Sequence, residues 1–132
     1  MSPTQRTLAY YRKKGFPVDV TERWIPRANI RKDLFGIIDL IILDIQAPRI
    51  IGVQTTSGSN HAARIKKALD SDILRAWLIC GGRFFVVSWR KLVARKKDGS
   101  KAKLPRWAGR SSHVELRGEV KTDFTVTEAE LN

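Results

Sequence analysis

The chain is poor in the residues that several large function classes need. Its 132 residues include one cysteine, Cys80, and two histidines, His61 and His113. A single cysteine excludes an intrachain disulfide and fits a reducing compartment. One thiol and two imidazoles fall short of the four ligands of a structural zinc site. No apolar run approaches the roughly 18 residues of a membrane span. The longest, Ile37 to Leu43, is interrupted by Asp39. No glycine-rich loop ends in Gly-Lys-Ser/Thr, no G-x-S-x-G is present, and Cys80 has no evident catalytic partner. NTPase, dinucleotide-binding and hydrolase-triad readings therefore fail, and no nucleotide cofactor is expected. The opening Met1-Ser2-Pro3-Thr4-Gln5-Arg6 does not read as a signal peptide. A soluble, cytoplasmic protein with no membrane partner is expected.

Acidic residues are also scarce. There are 13 Asp and Glu against 25 Lys and Arg, a formal net charge of +12. An excess of that size points to a polyanionic partner, with nucleic acid the first candidate. The charge is unevenly placed. Residues 1–82 carry 13 basic and 7 acidic side chains, whereas residues 83–110 carry 10 basic ones opposed only by Asp98. With 42% apolar residues the chain can still build a core, and its length suits one domain. Residues 1–90 read as the core of that domain, and 91–132 as a basic β appendage completing it.

Ser2-Pro3-Thr4-Gln5 reads as a capping box with proline in the first turn of a helix that Gly15 ends. Val18 to Trp24 alternates and reads as a strand ended by Pro26. Leu34 to Asp44 reads as a second strand, its continuous apolar character predicting burial on both faces. Ile50 to Thr56 reads as a third. Ser59 caps a helix over residues 60–69. Ser71 to Leu78 reads as a short helix, with a strand as the alternative. Arg83 to Trp89 reads as a buried strand, Asp98-Gly99 as a hairpin turn between basic arms, and His113 to Val120 as a last strand. Trp24, Trp77 and Trp89 read as core.

Asp39 and Gln54 stand out. An acid within a buried strand is costly unless it binds something. If the second and third strands form a hairpin, Asp39 and Gln54 meet near one end of the sheet. A carboxylate and an amide carbonyl suit Mg²⁺ or Mn²⁺. On residue type alone, a strand-end acid with a local hydrogen bond is the simpler reading. Asp33 shares Asp39's strand face by even spacing, at roughly 20 Å if the strand is extended. A bend at Gly36 would bring it in as a second ligand. Glu22 reads as a surface ion pair with Arg23 or Arg27, with an approach to Asp39 as the alternative.

The order helix, three strands, helix, strand, with Asp39 on the second strand and Gln54-Thr55-Thr56 on the third, resembles the PD-(D/E)XK nuclease superfamily. It is most similar to the small stand-alone VRR-NUC and Holliday-junction-resolvase-like proteins of phages and archaea. The resemblance covers residues 4–89. It implies an α/β fold with a mixed central sheet of restriction-endonuclease-like (αβββαβ) type, here followed by a basic β-hairpin. It also implies Mg²⁺- or Mn²⁺-dependent hydrolysis of phosphodiester bonds in branched or structured DNA, in the cytoplasm, or in a host cell's cytoplasm for a viral chain. Asp39 matches the metal-binding Asp, and Gln54-x-Thr56 stands where (D/E)-x-K would. Thr56 brings no positive charge, so a lysine from the following helix is expected to compensate, Lys67 first. Resolvase-like members carry an acid on the first helix, where Gln5 is the nearest match here. A resolvase cuts two strands, so that reading implies a homodimer.

The DNA-contacting set expected beside this site falls into two groups. Asn60, His61 and Arg64 open the helix after the third strand, with His61 solvated or touching phosphate. Arg95, Lys96, Lys97, Lys101 and Lys103 would form a phosphate-spaced stripe along the hairpin. Trp107, between Arg106 and Arg110, would stack on an unpaired base. The rival reading is a DNA-binding protein that keeps the fold without cleavage.

Overall fold

The computed structural model describes residues 1–93, 95–100, 106–117 and 124–131. Helix α1 (Pro3–Lys13) opens as its sequence predicts: Ser2 Oγ accepts the Gln5 amide at 3.1 Å, with Pro3 in the first turn. Short strands β1 (Val18–Val20), β2 (Arg23–Ile25) and β3 (Ile30–Lys32) follow, then β4 (Leu40–Asp44) and β5 (Arg49–Ser57). A single 3₁₀ turn, Gly58–Asn60, leads into α2 (His61–Leu69) and α3 (Asp72–Ile79). The chain closes with β6 (Arg83–Leu92), β7 (Arg106–Leu116) and β8 (Phe124–Leu131). Among the described residues no helix is long and apolar enough to cross a membrane.

The fold is α/β, built on a mixed six-stranded sheet in the order β1-β4-β5-β6-β7-β8, with β2 and β3 forming a separate ribbon. β5 and β6 run parallel, joined through α2 and α3, and every other neighbouring pair is antiparallel. Helices cover both faces. On one side α1 brings Leu8 against Leu40, Ile42, Ile51, Val53 and Val87. On the other, Ala68 of α2 and Leu74 of α3 close over Ile38, Phe84, Val86 and Val114. Each large side chain so buried contributes about 1.5–3 kcal/mol. Gly52 lets Ile38 and Trp77 approach the sheet, since a Cβ there would lie 2.7 Å from Ile38 Cδ1. On α1, Thr7 Oγ1 accepts from Trp89 Nε1 at 2.9 Å and donates to the Pro3 carbonyl, tying the helix to β6.

Four expectations need correcting. The strand expected over 18–24 breaks at Thr21 and Glu22, because both amides turn to the Asp39 carbonyl, at 2.8 and 3.3 Å. The strand expected from Leu34 begins at Leu40. Residues 33–38 instead make a tight turn, with Phe35 (φ 56°) and Gly36 (φ 75°) in the left-handed region and Leu34 exchanging backbone bonds with Ile38. β4 is not buried on both faces, since Leu43 faces solvent. Trp24 is not core but 53% exposed, because β2 lies in the ribbon and not in the main sheet.

The Asp98-Gly99 turn is present: Gly99 has φ 86°, and Lys96 N donates to Ser100 O at 2.7 Å. β7 begins at Arg106, seven residues earlier than the strand expected from His113, and so carries a basic stretch into the main sheet. β8 was not expected, and it pairs with β7 along eight residues.

Candidate metal centre

Where β4 begins, the chain leaves the sheet and a carboxylate takes its place in the ladder. Asp39 N donates to Val53 O at 2.8 Å, and the next free amide of β5, Thr55 N, donates to Asp39 Oδ2 at 2.8 Å. The same oxygen accepts from Gln54 Nε2 at 2.8 Å and from Thr55 Oγ1 at 3.1 Å. Three donors thus fix Oδ2, and the other oxygen is left for other partners. Because Thr55 Oγ1 gives its proton to Asp39, the Thr4 hydroxyl 2.7 Å away must be its donor. Helix α1 therefore reaches the site through Thr4, and Gln5, the nearest match to the implied helix-one acid, faces solvent.

The turn at 33–38 brings Asp33 back to Asp39. The bonds from Thr21 and Glu22 to the Asp39 carbonyl, with Thr21 Oγ1 donating to Ile38 O at 2.7 Å, bring in Glu22. One ligand oxygen from each of Glu22, Asp33 and Asp39 lies within 4.8 Å of the others. Asp39 is 3% exposed. Burial, then the hydrogen bond and charge of Asp33, raise its pKa to about 7, against the opposing pull of the Thr55 donors. Glu22 is paired with Arg31 at 3.2 Å rather than with Arg23 or Arg27. Among the described residues no ion pair joins Asp33 or Asp39 to a basic side chain. Three hard oxygen donors converge in a strongly basic protein, two of them without a cationic partner. That set matches an oxygen-preferring divalent cation.

The expected site residues separate. Asp39, Gln54 and Asp33 are brought together. Gln54, however, meets Asp39 through its amide nitrogen and so acts as a donor that orients the carboxylate. Thr56 is buried on the face of β5 that carries Gly52 and Gln54. The hydroxyl at Asp39 comes instead from Thr55, whose amide is level with the carboxylate. Lys67 lies on the exposed side of α2, and among the described residues no hydrogen bond or ion pair links it to Asp39. Residue type alone does not point to Thr4 or Thr55, and it favours an ion pair for Glu22 over a place in the cluster.

His61 is neither solvated nor open to phosphate. It is 1% exposed, and its two ring nitrogens bond Ser88 Oγ and Ser112 Oγ, the latter at 2.7 Å. Burial, reinforced by Arg110, holds its pKa below the ordinary value. Asn60 is exposed and bonds Ser57, and Arg64 is half-buried.

Of the remaining basic residues, Arg95, Lys96 and Lys97 after β6 and Arg106 and Arg110 on β7 lie toward the same end of the sheet as Asp39. β5 and β6 are parallel, so their C-terminal ends, the N-terminal ends of β4 and β7, and the turn after β6 share that end. Across the sheet the step from β4 to β6 is about 10 Å at the usual strand spacing; along the chain, Arg95 follows by eight residues Val87, which pairs with Thr55. Arg95, Lys96 and Lys97 are exposed there, and Arg106 and Arg110 border a groove of about 770 Å³ with Arg90, Glu128 and Glu130. The Arg6 guanidinium lies 3.6 Å from the centre of the Trp107 ring and covers one of its faces. Lys101 and Lys103 lie outside the described residues. No family model matches this chain, and neither does any curated protein or solved structure.

Proposed function

We propose that the protein is a divalent-metal-dependent DNA endonuclease, acting on branched or otherwise structured DNA in the manner of PD-(D/E)XK enzymes. The convergence of Glu22, Asp33 and Asp39 carries this reading. It is supported by the element order around them: an antiparallel run β1-β4-β5, then helices, then a parallel β6, with α1 across one face. It is supported also by exposed basic side chains at the same end of the sheet.

Glu22, Asp33 and the second oxygen of Asp39 would hold Mg²⁺ or Mn²⁺. Such an ion lowers the pKa of the attacking water and offsets charge on the scissile phosphate. Water adds to phosphorus, one P–O ester bond breaks, and the products are a phosphate monoester and a free hydroxyl end. Gln54, Thr55 and Thr4 do not touch the phosphate. Gln54 and Thr55 donate to Asp39 and Thr4 donates to Thr55, so the carboxylate is held in one orientation and no reorganisation is needed at the moment of reaction. Arg31 reaches the cluster through its ion pair with Glu22, and it is 75% exposed and open to a phosphate. This gives the site a positive charge that Thr56 lacks.

The rival reading, a DNA-binding protein without cleavage, draws on Gln54, Thr56 and the outward Lys67. Incubation of DNA with Mg²⁺ or Mn²⁺, beside Asp39→Ala, separates the two. Cleavage by the wild type alone supports the nuclease, and binding without cleavage supports the rival.

A further inference from the structure

The β2–β3 ribbon stands outside the main sheet, and its sequence does not suit a structural role. Its register pairs Arg23 with Lys32, Trp24 with Arg31, and Ile25 with Ile30. Directly paired residues share a face, so Trp24 and Arg31 occupy one side, and Arg23, Lys32, Ile25 and Ile30 the other. Trp24 is 53% exposed, although a large aromatic is ordinarily among the better buried residues. Arg23, Arg27, Arg31 and Lys32 put four positive charges on twelve residues whose two acids, Glu22 and Asp33, belong to the carboxylate cluster. One residue below the ladder, the same register sets Glu22 opposite Asp33, on the face of Trp24 and Arg31. The indole therefore stands two residues along from Glu22, about 7 Å at strand rise.

From these observations we infer that the ribbon is a recognition arm for DNA with unpaired bases. Trp24 stacks on an exposed base beside the scissile phosphate, and the ribbon's basic residues hold the backbone on either side. The inference deepens the nuclease reading and rests on it for the identity of the polyanion. Charge complementarity supports the placement. The anionic ligands of a cation, the Arg31 guanidinium and the indole adjoin on one face, which is what a phosphate between a metal and a stacked base requires. An aromatic face accepts any base but only one that is out of a duplex stack, so the arm selects structure and not sequence. Arg23 and Lys32 lie on the opposite side of the ribbon, with Ile25 and Ile30, and add their positive field to that of Arg31.

The test compares binding of a labelled single-stranded DNA and the corresponding duplex, with EDTA present so that nothing is cut. Trp24→Ala should weaken single-strand binding about tenfold, the scale of one base–aromatic stack, and leave duplex binding unchanged. Trp24→Phe should keep most of the single-strand affinity. Replacing Arg23, Arg27 and Lys32 by Ser should lower the salt slope for single strands by about 2, at about 0.7 per phosphate. Trp24 is exposed, so thermal unfolding should be unaltered in Trp24→Ala. Equal single-strand affinity of wild type and Trp24→Ala overturns the inference, as does a wild type with no affinity for single strands. A Trp24-dependent preference with no cleavage under Mg²⁺ or Mn²⁺ leaves the arm standing and removes the nuclease reading. Asp39-dependent cleavage with a preference indifferent to Trp24 does the reverse.

Discussion

Replacing Asp39 by asparagine should stabilise the protein while removing its metal site, and the two effects have one cause. The carboxyl pKa rises from 3.8 to about 7 on folding, mostly through burial and then through Asp33. The sign follows from which state holds the proton. Below about pH 4 both folded and unfolded chains are protonated and Asp39 contributes nothing. Between about pH 4 and 7 the unfolded chain ionises while the folded one does not, so stability falls as pH rises; above about 7 the loss is constant. A rise of about 3 pKa units corresponds to about 4 kcal/mol at the plateau. The Asp39→Asn side chain would keep one oxygen for Thr55 and Gln54 and turn its amide toward Asp33 and Glu22, losing only the titration. Urea unfolding in EDTA should show the Asp39→Asn variant gaining about 3 kcal/mol over wild type between pH 5 and 8. Titrating groups remote from the cluster, His61 included, cancel in that difference. A gain independent of pH, or a variant less stable than wild type at pH 8, would refute the account of the cluster.

Other predictions follow from the same contacts. Saturating Mg²⁺ or Mn²⁺ should raise the unfolding midpoint of wild type at pH 8 and leave that of Asp39→Asn unmoved, as calorimetry would show. His61→Ala should lose about 2–4 kcal/mol of stability, because it opens a cavity and orphans two buried serine hydroxyls. The DNA affinity of its folded fraction should not change, as a binding titration below its unfolding temperature would show. Since burial holds the folded imidazole below its ordinary value of 6.5, the stability contributed by His61 should be lost as pH drops through that value, where only the unfolded chain takes up a proton, a slope opposite in sign to that of Asp39. In urea titrations His61→Gln should therefore gain stability relative to wild type as pH drops below 6.5. Gly109→Ala should cost about 1–3 kcal/mol in thermal unfolding, because its Cβ would lie 2.7 Å from the Trp89 ring that bonds Thr7.

The parts of the fold legible in the sequence are those with a strong local signal. The cap at Ser2, the third strand up to Thr56, the helix ending at Leu69 and the buried strand from Arg83 stand where their residue patterns place them, whereas Ser59 lies in a 3₁₀ turn and does not cap α2. The turn at 33–38 was not legible, because a run such as Leu34-Phe35-Gly36-Ile37-Ile38 has no period that separates a buried turn from a buried strand. The left-handed Phe35 that makes the turn is a conformation sequence disfavours. β8 escaped for another reason. Its side chains are exposed on both faces except at its ends, so Thr125 to Glu130 carries no amphipathic alternation, and its pairing comes from β7. At the site, the buried acid was visible as an oddity of Asp39, and Gln54 as its neighbour. Thr55 was hidden because its backbone amide, which carries no sequence signature, is what draws the carboxylate in. His61 was misplaced because a histidine in a helix's first turn is usually solvated. Here Ser88 and Ser112, distant in sequence, satisfy both its nitrogens.

The most direct measurement is cleavage of labelled single-stranded, duplex and four-way-junction DNA by the purified protein with Mg²⁺ and with Mn²⁺, beside Asp39→Ala. The carboxylate cluster predicts metal-dependent cleavage of at least one of these substrates by wild type and none by the variant, with DNA binding retained by both. Equal cleavage by the two proteins, or none by either while both bind DNA, would contradict it.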